Sequence, residues 1–152
     1  MKQYNFKDVK FMTVKEKELV LKQWNRFIKA LTEDEVEKIP NRFTKRIYEH
    51  LHLHCSFIAH YGISGFYNTY FADPEDTVKF IRQFDRNHDC ISVEYNATWW
   101  LHGDYADLNE ALIDVVEQYK EKIYEKCNSE ARENDIQEAK RLLTKHSIEV
   151  VI

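Results

Sequence analysis

FTKRIYEHLHLHCSFIAHYG, residues 43–62, admits two readings, and the fold turns on the choice. As a strand, a period of two sets His50, His52 and His54 on one face, a three-imidazole metal site. As a helix, about 100° per residue lines Phe43, Ile47, Leu51, Cys55 and Ile58 along one core-facing stripe. The helix is preferred. Its apolar period outruns an ordinary strand, β-branched residues are sparse, and Gly62 sits where a C-terminal cap belongs.

That choice disperses the histidines. His50, His54, Phe57 and Tyr61 form a ridge on one shoulder of the stripe, His52 lies on the other, and His60 points nearly opposite. His50 and His54, four apart, are the pair that can share a ligand, the spacing zinc uses in HExxH helices. Leu51 stands where that motif has glutamate, so its general base is missing. The metal reading is therefore a small zinc-type enzyme on His50 and His54, with a third ligand from Cys90, His88, His102 or Asp104 by residue type alone. Histidines hydrogen-bonded beside a core account for the same residues without a metal.

Outward from this stretch, the chain has 152 residues, 43% hydrophobic and 14% aromatic, with three glycines and two prolines. Scarce turn formers in a length that makes one core predict a mainly α, single-domain helical bundle of about five or six helices. Thr13 with Glu16 is a capping box, and Val20, Trp24, Phe27, Ile28 and Leu31 carry a helical period over 14–31. Thr32 with Glu35 opens a short turn that stops near Pro40. Asp73-Pro74-Glu75-Asp76 starts a helix reaching about Phe84. Asp107 with Glu110 starts another through Leu108, Leu112, Val115, Tyr119 and Ile123 to about Cys127. Asn128-Ser129 is read as a break before a last helix whose inward face is Ile136, Ala139, Leu143 and His146. CISVEY (90–95) and SIEVVI (147–152) have strand character and are expected to pair as a small two-stranded β element.

No signal-type apolar run opens the sequence, and no stretch of about 18 apolar residues crosses a bilayer, so a cytoplasmic protein with no membrane contact is expected. Three scattered cysteines fit a reducing compartment. There is no phosphate loop, dinucleotide fingerprint or paired CxxC. The Asp85, Asn87, Asp89 imitation of a calcium loop lacks its glycine and its closing glutamate.

The remaining signals point to binding. Tyr61, Phe66, Tyr67 and Tyr70 around Gly62 and Gly65, and Trp99, Trp100 and His102 with Tyr105 around Gly103, are more aromatics than two small elements bury, and are read as a binding surface. Charge is uneven. Residues 1–50 hold 12 basic and 8 acidic side chains, net +4, whereas residues 104–138 hold 4 and 11, net −7. The expectation is a non-catalytic binding or accessory protein acting through the aromatics and an acidic helix carrying Glu117, Glu121 and Glu125. Its protein partner would offer a basic surface for which nucleic acid competes. Direct nucleic-acid binding is disfavoured by the overall −4, although Lys15, Lys17, Lys22, Arg26 and Lys29 make one basic helix. A structural or regulatory homodimer built on the aromatic patches is the other alternative.

Overall fold

The computed structural model describes residues 4–33, 39–54, 62–86 and 103–146. These form a mainly α single domain of six described helices, with no strand among the described residues. They are α1 (Val14–Ala30), α2 (Ile39–Arg42), α3 (Lys45–His54), α4 (Ile63–Phe71), α5 (Pro74–Arg82) and α6 (Ala106–Lys145). The strand pairing expected for 90–95 and 147–152 lies outside the described residues.

Local chemistry explains most starts and stops. Thr13 is extended and its hydroxyl accepts from the Glu16 N–H at 3.2 Å, opening α1 as its sequence predicts. Asp73 caps α5 by accepting from the Glu75 N–H at 2.9 Å, and Pro74 occupies the first turn, where a missing N–H is harmless. Two boundaries differ from the expectation. Gly62, expected as a C-terminal cap, is extended (φ −71°, ψ 170°) and serves as N-cap of α4, and Gly65 sits inside that helix. Among the described residues Gly103 alone has positive φ, at 84°, turning the chain just before α6. Pro40 does not stop a helix but occupies the second position of α2, where its fixed φ is tolerated.

The largest difference is α6. It runs unbroken for 40 residues through Asn128 and Ser129. These two cost only fractions of a kcal/mol each in a helix, and neither glycine nor proline occurs after Gly103. Asp107 is not the cap either: Tyr105 precedes the first turn, and Asp107 within it takes a tertiary partner.

α6 packs against α5 and α1, α4 against α5, and α1 against α2 and α3. The core they enclose is aromatic. Trp24, Phe27, Phe66, Phe80 and Phe84 are fully buried, joined by Ile28, Ile47, Leu51, Ile81, Leu108 and Ile113. Phe43 stacks on Phe66 with centroids 5.2 Å apart, and Phe80 meets Phe71 edge-on at 4.7 Å. Trp24 satisfies its one donor by reaching the Leu112 carbonyl of α6 at 3.0 Å. The helical stripe read in α3 holds where it is described: Phe43, Ile47 and Leu51 are all buried.

Candidate functional site

His50 is buried on α3 with its Nε2 2.7 Å from Asn109 Oδ1 of α6, and its ring meets Tyr105 edge-on at 6.1 Å. A carboxamide oxygen only accepts, so Nε2 carries the proton and is engaged in joining α3 to α6. Asp104, a third-ligand candidate, is exposed, while its backbone carbonyl accepts from Lys17 Nζ at 2.9 Å. Among the described residues no three histidine, cysteine or acidic side chains are placed to hold a metal ion. The His54 side chain, Cys90, His88 and His102 lie outside the described residues, so the zinc pairing is not assembled from what is described.

Lys17, one of the five bases that mark α1 as a basic helix, is fully buried. Its ammonium reaches Asp107 at 2.8 and 3.0 Å as well as the Asp104 carbonyl, three acceptors for three donors. Burial pushes the Asp107 carboxyl up, but hydrogen bonds from Lys17 and from the Lys7 and Leu108 N–H groups, with the Lys17 charge, hold it below the usual carboxylate value. This pair ties the N-terminal segment and α1 to the start of α6.

A second network sits midway along α6. Lys120 bridges Asp85 at 2.8 Å and Glu117 at 2.7 Å, and the Tyr124 hydroxyl donates to the other Asp85 oxygen at 2.8 Å. Burial lowers the Lys120 pKa, but the two carboxylates outweigh it and raise it. Burial and the same aspartate push the Tyr124 phenol up. Asp114 takes Arg86 at 2.8 Å and the Tyr4 hydroxyl at 2.8 Å, and the Tyr4 phenol is raised to about 12 by burial first and by Asp114 next. Asp85 is thus a buried structural acid, unlike a calcium ligand awaiting its ion. Of the three glutamates assigned to an acidic docking face, Glu117 is spent inside this network and accepts from the Arg86 N–H at 2.7 Å, whereas Glu121 and Glu125 are exposed.

The aromatic surface divides similarly. Phe66 is fully buried, stacked on Phe43 and edge-on to Phe80 at 5.9 Å, so it belongs to the core and not to a surface. A short helix with Gly65 inside it still presents one side to the interior, and Phe66 takes it. Tyr67 and Tyr70 are half-buried at the edge of that cluster, Tyr67 beside Phe43 at 5.8 Å and Tyr70 beside Phe66 at 4.9 Å. Burial pushes the Tyr67 phenol up. Tyr61, Trp99, Trp100 and His102 lie outside the described residues.

Two features escaped the sequence reading. Between α1 and α6 runs a groove of about 710 Å³, floored by Tyr4, Leu21, Val115 and Tyr119 and rimmed by Lys22 and Arg26. The other is the far end of α6. Cys127 is its last buried residue, and from Asn128 to His146 every side chain is exposed or half-buried. Ile136 and Leu143, expected to face inward, are half-buried, and Ala139 and His146 are exposed. The signal that would have found this arm is an absence: no helix breaker separates it from the buried half.

Compared with known protein families, curated proteins and solved structures, the chain gives no match. No described helix is long and apolar enough to cross a membrane.

Proposed function

We propose that this chain is a non-catalytic binding or accessory protein whose partner-facing element is α6. The observation that carries the reading is the reach of that helix. At 1.5 Å per residue its 40 residues span about 60 Å, against a diameter of about 38 Å for a compact chain of this length. A helix held by its buried half projects its other half into solvent. An exposed helix gains little on its own, because most helical stability in water comes from packing an amphipathic face.

Glu110, Glu121 and Glu125 lie within about 60° of one another around α6 and are all exposed, an acidic stripe over the body of the helix with Arg132 beyond it on the same bearing. Such a stripe favours a partner with a basic surface, including one that also accepts nucleic acid, since both present rows of negative charge. The buried networks around Asp107 and Lys120 hold α6 at a fixed angle to α1 and α5, a scaffolding role that needs no turnover.

The test is affinity capture from source-cell extract with the wild type and with Glu121→Gln/Glu125→Gln, followed by heparin elution. A stoichiometric partner released by heparin and depleted at least several-fold in the variant is the expected result. Equal recovery of every bound protein by both baits, or release insensitive to heparin, overturns the reading.

A further inference from the structure

We propose that the groove between α1 and α6 is a binding site for one free amphiphile with a single carboxylate, of the fatty-acid class, its chain on the apolar floor and its head on Lys22 and Arg26. The inference goes beyond the partner-binding reading of α6 and does not depend on it. Tyr4, Leu21 and Tyr119 are half-buried along the floor, and Val115 is buried beside them. A volume of about 710 Å³ is that of a small-ligand site, which is concave, mainly apolar and given direction by a few polar groups. The α1 wall, from Glu18 to Arg26, rises about 12 Å. Over that length the volume leaves a channel roughly 8 Å across, narrower than the 10–12 Å of a helix with its side chains. A single extended chain lies within it, whereas a helix would stand on its edges.

Charge names the head group. Lys22 and Arg26 stand one turn apart on the groove's edge, both exposed, and among the described residues neither is held in an ion pair. Like charges at that spacing repel. Two acids also line the groove. Asp114 is engaged, one oxygen with Arg86 at 2.8 Å and the other with the Tyr4 hydroxyl at 2.8 Å. Glu18 is left, one turn before Lys22, and two bases against it leave one positive charge uncompensated. One carboxylate balances that charge, with Arg26 offering a forked donor and Lys22 a point charge. An uncharged head leaves the bases as they are, and a cationic head adds to their repulsion. A bilayer is excluded by shape, since a flat surface would meet the bases and leave the floor unfilled.

The test is isothermal titration calorimetry of the full chain with octanoate, decanoate and dodecanoate below their micelle-forming concentrations, with dodecyltrimethylammonium as the cationic control. The expected result is one carboxylate per chain and little binding of the cation. Burying a methylene completely is worth about fourfold in affinity. The groove is open along one side, so each pair of added carbons should tighten binding by about fourfold. Lys22→Gln/Arg26→Gln should weaken dodecanoate by at least about fivefold. Lys15→Gln/Lys29→Gln removes the same charge from exposed positions of α1 outside the groove, and should change it by less than about twofold. Circular dichroism confirms the fold of each variant. Vesicles of phosphatidylserine should not sediment the protein. Absence of binding at millimolar dodecanoate, equal binding of the cation, or several molecules per chain whatever the bases each overturns the proposal. So does vesicle binding that is lost in Lys22→Gln/Arg26→Gln, which would give the two bases to a membrane surface. The titration uses no protein partner, so its failure leaves the capture experiment on Glu121 and Glu125 to decide the broader reading by itself.

Discussion

Removing Asp107 should cost much more than removing the lysine it faces. In wild type the Lys17 ammonium, fully buried, has three acceptors, two of them the Asp107 oxygens. Asp107→Ala strips both and leaves a buried cation with one backbone carbonyl. Breaking a buried pair from one side costs about 3–5 kcal/mol. The Asp107 side chain is 27% exposed, so water reaches part of the vacated space, and the low end, about 3 kcal/mol, applies here. Lys17→Met removes the charge while keeping the aliphatic stem packed. Asp107 then keeps its hydrogen bonds from the Lys7 and Leu108 N–H groups and its exposure to water, and the loss is about 1–1.5 kcal/mol. The double variant should resemble Lys17→Met, because without the ammonium nothing buried is left unpaired. Urea unfolding followed by far-UV circular dichroism reads all three; with a slope of about 2 kcal/mol per molar for a domain of this size, Asp107→Ala shifts the midpoint by about 1.5 M. A Lys17→Met variant at least as destabilised as Asp107→Ala, or additive losses in the double variant, would refute the reasoning.

The same pair sets an acid limb. The Asp107 carboxyl titrates below its unfolded value of 3.8, so its contribution is complete above that pH and disappears as pH falls through the lower folded value; Asp107→Asn should flatten stability against pH below about 4 in urea titrations. Arg132→Pro breaks α6 beyond its last buried residue, and should lower helical content while changing global unfolding free energy by less than about 0.5 kcal/mol; a loss comparable to that of a core proline would mean that the arm packs on the body. Burial first, and Glu130 next, push the Cys127 thiol up to about 11, so at pH 8 iodoacetamide should label it far more slowly in the native protein than in urea, read at Cys127 by peptide mass spectrometry. Equal rates in the two conditions would show that the thiol is open.

The core was legible because it obeys the helical period: Val20, Trp24, Phe27 and Ile28 on α1 and Ile47 and Leu51 on α3 are buried where spacing alone places them. Capping chemistry likewise located Thr13 and Asp73. What sequence reasoning lost is long-range. Lys17 looks like any exposed lysine until α6 delivers Asp107 across 90 residues, and Asp85 resembles the start of a calcium loop until Lys120 and Tyr124 arrive from α6. Asn128 and Ser129 favour turns by local bonding, yet good helix formers on both sides carry the chain through them. Phe66 was misplaced because glycine neighbours and clustered tyrosines resemble a surface loop, whereas one side of α4 closes the aromatic core. The candidate site was therefore less legible than the fold. Its helix was visible, but its length and the division of its acids between structural and exposed roles were not.

The central claim is that α6 continues past Cys127 as a straight arm. The direct measurement is the distance between spin labels at Glu110→Cys and Lys140→Cys, both exposed, in a background with Cys55, Cys90 and Cys127 replaced and diluted with unlabelled protein. Thirty residues of continuous helix place the two backbone positions about 45 Å apart. A narrow distribution at that separation is the result this account predicts. A population centred below about 25 Å, as a chain broken at Asn128-Ser129 and folded back would give, contradicts it.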